Sequence, residues 1–421
     1  MSTRFDGRKV LVMHPNFPGQ FRHLAPALKE LGADIRALTL SQPPQGAPFS
    51  VTQVPLVRGH SPKLDPWLQS LDSKLIRGRS ALPLLRQWRA DGWVPELVIG
   101  HTGWGDMLGV SEVFPNAKVL GWFEFYYHAT GLDLDFDPEF PPSEEDRLKT
   151  RLKNMWPLWM LEHVDQGVCP TYFQRDVHPA VYRPRLSVVH EGIDTQRFVP
   201  KEDIQVTLGE SLTLTRDDEV ITFVNRDLEP YRGYHVFMRA LPALLAQHPK
   251  AHVLMVGGDS VSYGAAAPAG TTWKQYFLNE VGHQLDPARV HFLGKVPHAT
   301  LTALMQLSRA HVYLTYPFVL SWSLLEAMSC AAPIIGSNTA PVREVITHGE
   351  NGLLVDFFDT EALTASLSYA LRHPEAMQPL RQQARQTVID RFDLHTQCLP
   401  QQLALVASLL ASKHMTISDH P

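Results

Sequence analysis

Cysteine is scarce in this chain: Cys169, Cys330 and Cys398 are odd in number and far apart. With no CxxC pair and no clustered ligand set, neither a disulfide framework nor a zinc site is implied, and free thiols suit a reducing cytoplasm. Long apolar runs are missing too. The apolar stretch before His14 and Pro15 is too short for a signal peptide, and no uncharged run approaches the ~18 residues of a membrane-spanning helix. Positive charge is not in excess, since 38 basic against 43 acidic residues leave a net charge of −5. That balance argues against a general nucleic-acid binder. No GxGxxG fingerprint follows the first strand, which argues against a dehydrogenase.

What is present is a chain of 421 residues, beyond the ~250–300 at which single cores divide, so two domains are expected. Strand and helix signals alternate. Lys9–Met13 reads as a strand, 21–31 as a helix closed by Gly32, and 34–40, 97–99 and 118–123 as further strands. The pattern restarts with strands over 219–225, 251–256, 289–292, 311–315 and 333–337, and helices over 236–247 and 321–330. This alternation predicts an α/β protein of two doubly wound domains with parallel sheets, whose ligands sit outside the strand carboxyl ends in a cleft. Residues 201–218 look polar and short on periodicity. Residues 260–272 (SVSYGAAAPAGTT) read as a long loop, of a length that is often functional, 400–410 as a last helix, and the chain from 413 as a frayed tail.

Two segments carry a resemblance. Residues 188–200, VVHEGIDTQRFVP, are similar to the "PNGVDxxxF" linker of family-four glycosyltransferases, and 311–356 resembles that family's donor-binding block, with LLEAM, a small-residue turn, a strand and GxxGLLV. The resemblance implies a GT-B fold with these limits: 1–194 an acceptor-binding domain, 195–392 a nucleotide-sugar domain, 393–412 a helix packing back on the first, and 413–421 a tail. It implies retaining, metal-independent hexosyl transfer from a UDP- or GDP-sugar to a hydroxyl acceptor (a glycan, a lipid-linked or a small molecule), as in polysaccharide biosynthesis. No bound cofactor and no nucleic-acid partner are expected.

Carried onto this chain, the resemblance makes Arg226 and Arg232 the cations that neutralise the leaving diphosphate, where the family has Arg and then Lys; solvated loop cations are the alternative. Glu326 would hold the ribose, or else complement the dipole of its helix, worth ~0.3–1 kcal/mol. Ser321, Trp322, Ser323 and Leu324 at that helix start, with Val296, Gly257 and Tyr263, would complete the donor site. Gly19, after the first strand, would let the backbone approach the diphosphate and reacting carbon. The chain departs from the family at two places. Phe318 replaces the first Glu of the usual pair and cannot accept a hydrogen bond. Glu124 stands where relatives have a His; it would bind a sugar hydroxyl or stabilise an oxocarbenium-like transition state, or be paired inside an aromatic core. His101, His128 and Gln20 are acceptor-side candidates.

Asp133, Asp135 and Asp137 form an Asp-x-Asp pattern without a following strand, read as a solvated or acceptor-side loop rather than a metal site. The basic stretch 74–89 would rest on an anionic membrane at the cytoplasmic face, or be a solvated helix with a buried apolar side. Two rivals to a transferase stand: a nucleotide-sugar epimerase on the same fold, and an inactive nucleotide-sugar-binding protein.

Overall fold

The computed structural model describes residues 4–209 and 211–412; the tail expected at 413–421 lies outside the described residues. The chain divides into two compact units, one running to Gly192 and resuming at His395, the other Ile193–Leu394.

The first unit is built on a seven-stranded parallel sheet. Its strands are β1 (Lys9–Met13), β2 (Asp34–Thr39), β3 (Ser50–Gln53), β4 (Leu97–His101), β5 (Lys118–Trp122), β6 (Gln166–Cys169) and β7 (Leu186–Val188), in the order β3-β2-β1-β4-β5-β6-β7. Strands β4 and β5 are buried at every residue, as expected where helices cover both faces. Strand β1 shows how the two faces are filled: Leu11 and Met13 pack with Trp88, Val98 and Phe123, while Val10 and Val12 pack with Leu28, Leu120 and Val406. Val406 comes from the helix Leu399–Ala411, which returns to this unit and donates Gln402 Nε2 to the His190 carbonyl at 2.8 Å. The helix expected over 21–31 is shorter, Leu24–Glu30, and follows a 3-10 turn Gly19–Phe21.

The second unit opens with a hairpin, β8 (Gln205–Leu208) and β9 (Leu212–Thr215), antiparallel with Val206 opposite Leu214. The segment expected to lack periodicity thus alternates every second residue, over strands too short to signal alone. Its main sheet has β10 (Val220–Asp227), β11 (His252–Gly258), β12 (Val290–Gly294), β13 (Ala310–Tyr313), β14 (Ile334–Ser337) and β15 (Leu353–Val355), in the order β12-β11-β10-β13-β14-β15 and parallel throughout. Strand order reverses at β1/β4 in the first sheet and at β10/β13 in the second. These switch points are where doubly wound sheets open a crevice. No helix among the described residues is long and apolar enough to cross a membrane.

Candidate active site

Three neighbouring strands of the first unit each deliver one part of a polar group. After β1 the chain turns at once. His14 Nδ1 accepts the Asn16 N–H at 3.1 Å, and Gly19 adopts φ +49° with its α-carbon against the imidazole; a Cβ there would lie 2.5 Å from the ring. Only glycine closes this turn. Gln20 then donates Nε2 to Glu124 Oε1 at 2.7 Å, from the segment that follows β5. The other carboxylate oxygen is 3.4 Å from Nε2 of His101, the last residue of β4. His101 Nδ1 accepts the Gly103 N–H at 3.0 Å, which places the ring proton on Nε2, toward Glu124. Gln174 Nε2 holds the Glu124 carbonyl at 2.8 Å.

The electrostatics follow from burial and from these contacts. Removal of water works against the Glu124 charge, but His101, Gln20 and His14 outweigh it and hold the pKa below the usual carboxylate range. Burial, and then His101, push His14 down to about 4, so it is neutral at pH 7. Asp106 lies wholly buried in the loop after β4, and burial pushes it up to about 6 against the pull of His101, Arg77 and backbone N–H groups. Trp104 packs its ring 5.6 Å from His101 and 6.5 Å from His14.

His128 is not brought into this group. Its Nε2 is 2.7 Å from the Val177 carbonyl and its ring meets Tyr126 edge-on, so it fastens the segment after β5 to the end of the helix Tyr172–Asp176. The acidic run is not simply solvated. Asp135 accepts the Gly131 N–H at 2.7 Å and lies 3.9 Å from Arg147, and Asp137 accepts the Glu139 N–H at 2.9 Å. The basic stretch 74–89 lies within the helix Gln69–Ala90, with Ile76, Ala81, Leu85 and Trp88 buried. Arg77 turns inward, 5.3 Å from the Trp104 ring, and burial draws Lys74 down to about 8.

In the second unit the two arginines differ. Arg226, near the end of β10, is exposed, with its guanidinium 5.9 Å from the Tyr263 ring. Arg232 is buried, and its Nη1 donates to Thr315 Oγ1 at 2.7 Å, to the Val319 carbonyl at 3.1 Å and to Tyr313 Oη at 3.4 Å. It therefore ties the segment after β10 to the loop after β13. Gly233, at φ +70°, lets the two approach, for a Cβ there would sit 2.3 Å from Leu314 Cβ. In that loop Ser321 donates its N–H to Tyr313 Oη at 2.8 Å and caps the helix Trp322–Ser329 by accepting the Ser323 N–H. Trp322 and Ser323 are half-buried in the first turn, whereas the Leu324 side chain is in the core and leaves only its backbone for a ligand. Glu326, in the second turn, is 3.3 Å from His298 Nε2, and His298 Nδ1 is 2.9 Å from Arg197.

Phe318 joins an aromatic cluster, 5.2 Å from Tyr231, 5.2 Å from Tyr263 and 5.9 Å from the Arg232 guanidinium. Gly257, the penultimate residue of β11, lies close to Leu228, and Val296 is half-buried against the core. Two carboxylates here were not singled out from the sequence. Asp227 accepts the Ser262 hydroxyl and lies 3.3 Å from Lys295 Nζ. Glu229, wholly buried, accepts the N–H groups of Ser262, Tyr263 and Gly264. Both would pass in a sequence for solvated loop acids.

A model of the glycosyl transferase family 4 group matches residues 32–198, and one of the glycosyl transferases group 1 matches residues 208–387. A GDP-mannose-dependent alpha-(1-6)-phosphatidylinositol monomannoside mannosyltransferase of Mycolicibacterium smegmatis is 24% identical over 232 residues, 53% of this chain and 57% of that protein. A D-inositol 3-phosphate glycosyltransferase of a Mycobacterium species is 30% identical over 175 residues, 42% of this chain and 37% of that protein. The chain spans about half the length of the curated relatives it matches. Sucrose-phosphate synthase of Thermosynechococcus elongatus superimposes with a TM-score of 0.71 at 19% identity, covering 96% of this chain and all of that one. Anabaena Alr3699/HepE, solved with UDP-glucose, does so with a TM-score of 0.64 at 14% identity, covering 95% and 99%. These two likenesses show the fold alone.

Proposed function

The chain belongs to the family-four GT-B glycosyltransferases, and we propose that it moves a sugar from a nucleoside-diphosphate donor to a hydroxyl acceptor, with retention at the anomeric carbon and without a bound metal. One observation carries the reading. Arg226 near the end of β10 and Arg232 in the turn after it stand at the carboxyl end of the strand where the second sheet reverses, and Arg232 is bonded to the loop that leads into the capped helix Trp322–Ser329. An anion is stabilised there by cations and by the helix dipole together.

In this reaction the bond from the anomeric carbon to the diphosphate oxygen breaks and one to the acceptor oxygen forms. A phosphate oxygen takes the acceptor's proton. Arg226, exposed, contacts the departing diphosphate, while Arg232 holds the loop 313–321 in place around it and offers its remaining guanidinium face. Glu326, braced by His298, faces the ribose. In the first unit Glu124, kept ionised by Gln20 and His101, stabilises positive charge developing on the sugar. The relative named as GDP-mannose-dependent and the neighbour solved with UDP-glucose support a nucleotide sugar as donor class. Peripheral contact with an anionic membrane through exposed cations of 74–89 belongs to the same reading, as one way to reach a lipid-linked acceptor.

The test is turnover of a panel of UDP-, GDP- and ADP-sugars, followed by mass spectrometry and by NMR of the product's anomeric proton. Arg226→Ala is expected to lower turnover about a hundredfold. Near-wild-type turnover in that variant removes the assignment, and an inverted product removes retention. Release of an isomerised sugar without an acceptor would favour an epimerase instead.

A further inference from the structure

The loop between β11 and the helix Trp273–Val281 has no regular structure over residues 259–272, yet it is held at defined points. Its main anchor is one side chain. The Glu229 carboxylate accepts three successive backbone N–H groups, from Ser262 at 3.2 Å, Tyr263 at 3.3 Å and Gly264 at 3.0 Å. Ser262 adds its hydroxyl to Asp227, and Trp273 Nε1 donates to the Ala265 carbonyl at 2.9 Å.

Glu229 does more than hold the loop. It also starts the 3-10 turn Pro230–Arg232, where its own carbonyl accepts the Arg232 N–H at 3.1 Å. A single residue thus fixes both the backbone that carries Arg232 and the loop that carries Tyr263. The outcome is visible in the rings. Tyr263 lies 4.8 Å from the Arg232 guanidinium and 5.9 Å from that of Arg226, and it stacks on Tyr231 at 6.3 Å. A guanidinium flanked by an aromatic face keeps its plane, and its charge stays directed along that plane.

We propose that Glu229 is a positioning residue of the donor site: by fastening Ser262–Gly264 it sets the Tyr263 ring against Arg232 and beside Arg226, and so orients the cations that meet the diphosphate. The assignment rests on the reading of those arginines as the diphosphate-binding pair. A carboxylate suits the task because it is an acceptor only, with two oxygens able to take three N–H donors at once. A neutral amide of the same size brings two donors of its own and faces the three N–H groups with one oxygen.

The experiment compares wild type, E229Q, Y263A and the double variant in the full chain. Hydrogen exchange at 262–264 reads the fastening, titration with UDP, GDP and inorganic pyrophosphate reads the site, and thermal unfolding reads stability. In E229Q, exchange at those amides rises at least tenfold and binding of the preferred diphosphate weakens about tenfold, the scale of one charged hydrogen bond. Y263A weakens binding in the wild-type background but adds little in E229Q, because the ring is already displaced. Unchanged exchange, or faster exchange with unchanged binding, overturns the proposal and leaves Glu229 a purely structural residue. Additive effects in the double variant overturn it as well. Should E229Q fail to fold, Y263A and Y263L, at a partly exposed position, carry the test: binding unaffected by both overturns the proposal. A wild-type protein that binds none of the three probes is a separate failure, that of the diphosphate reading beneath it.

Discussion

Gln20 and Glu124 meet at 2.7 Å although 104 residues separate them in the chain. The first belongs to the turn after β1 and the second to the segment after β5, and β4 between them supplies His101 against the other carboxylate oxygen. Both oxygens of Glu124 are therefore engaged from within the first unit, and the direction of the carboxylate is set.

Gln20→Ala and His101→Ala should each loosen that carboxylate. Loss of one hydrogen bond to a charged group is worth about 1.5–3 kcal/mol, so kcat is expected to fall about ten- to a hundredfold, and E124Q to fall further. The pH profile carries the sign. His101 and Gln20 help hold the Glu124 pKa below the ordinary carboxylate value, so the acid limb of activity lies at low pH in the wild type and moves up in both variants. Steady-state rates between pH 3.5 and 7 check this; an unmoved acid limb would separate Glu124 from the chemistry.

Arg226 and Arg232 should respond differently to truncation. Arg226 is exposed, so Arg226→Ala leaves stability within about 0.5 kcal/mol of wild type while turnover collapses. Arg232→Ala strips partners from Thr315, Val319 and Tyr313 and is expected to cost about 2–4 kcal/mol. Arg232→Lys keeps the charge but not the fork that serves several oxygens, and falls between. Thermal melts and turnover measured on the same preparations distinguish the two residues.

The same contrast shows what a sequence discloses. Strands β1, β10 and β11 announce themselves through apolar runs ending at a turn, whereas β3, β8 and β9 interleave apolar with polar residues over only four positions and β15 has three residues. Gly19, Gln20, His101 and Glu124 could each be singled out by their place after a strand, but that they share one group depends on the strand order, which no local pattern encodes. His128 lies four residues beyond Glu124 and points elsewhere, because the chain has left the strand and its side chains no longer alternate predictably. Glu229 was illegible for another reason. Its partners are backbone N–H groups of a distant loop, and backbone groups carry no residue-type signal.

Asp106 makes a prediction in stability. Burial raises its folded pKa to about 6 from the usual ~3.9. A raised carboxyl pKa means that the protonated form suits the fold; its contribution is fully present below pH ~4 and is lost as pH rises through 6. Asp106→Asn removes the titration at nearly constant volume. The unfolding free energy of D106N relative to wild type should therefore shift in favour of the variant by up to about 3 kcal/mol between pH 4 and pH 8. Urea denaturation at the two pH values measures the shift; equal differences at both would place the Asp106 proton elsewhere.

Four histidines act in the opposite sense. His14, His178, His190 and His311 are each lowered to about 4, with burial as the largest cause in every case. Their neutral rings are part of the folded packing, as where His311 Nδ1 meets Thr222 Oγ1 at 2.8 Å inside the second sheet. A depressed pKa gives stability that is present above ~6.5 and is lost as pH falls toward 4, because the unfolded chain takes up the protons first. At pH 5 each such ring weakens the fold by about 2 kcal/mol relative to neutral pH. Three of the four, His14, His178 and His190, belong to the first unit, and Asp106 there offsets only part of the loss, since it regains stability over the same fall in pH. His252 and His291 of the second unit are also lowered, but they are only half-buried and stay in reach of water. The first unit should consequently be the first to open in acid. Hydrogen exchange followed between pH 7 and pH 4.5 is expected to show amides of β1, β4 and β5 losing protection before those of β10 and β13. Simultaneous loss would mean that the two units unfold as one, and the reverse order would mean that the buried histidines of the first unit do not set its acid limit.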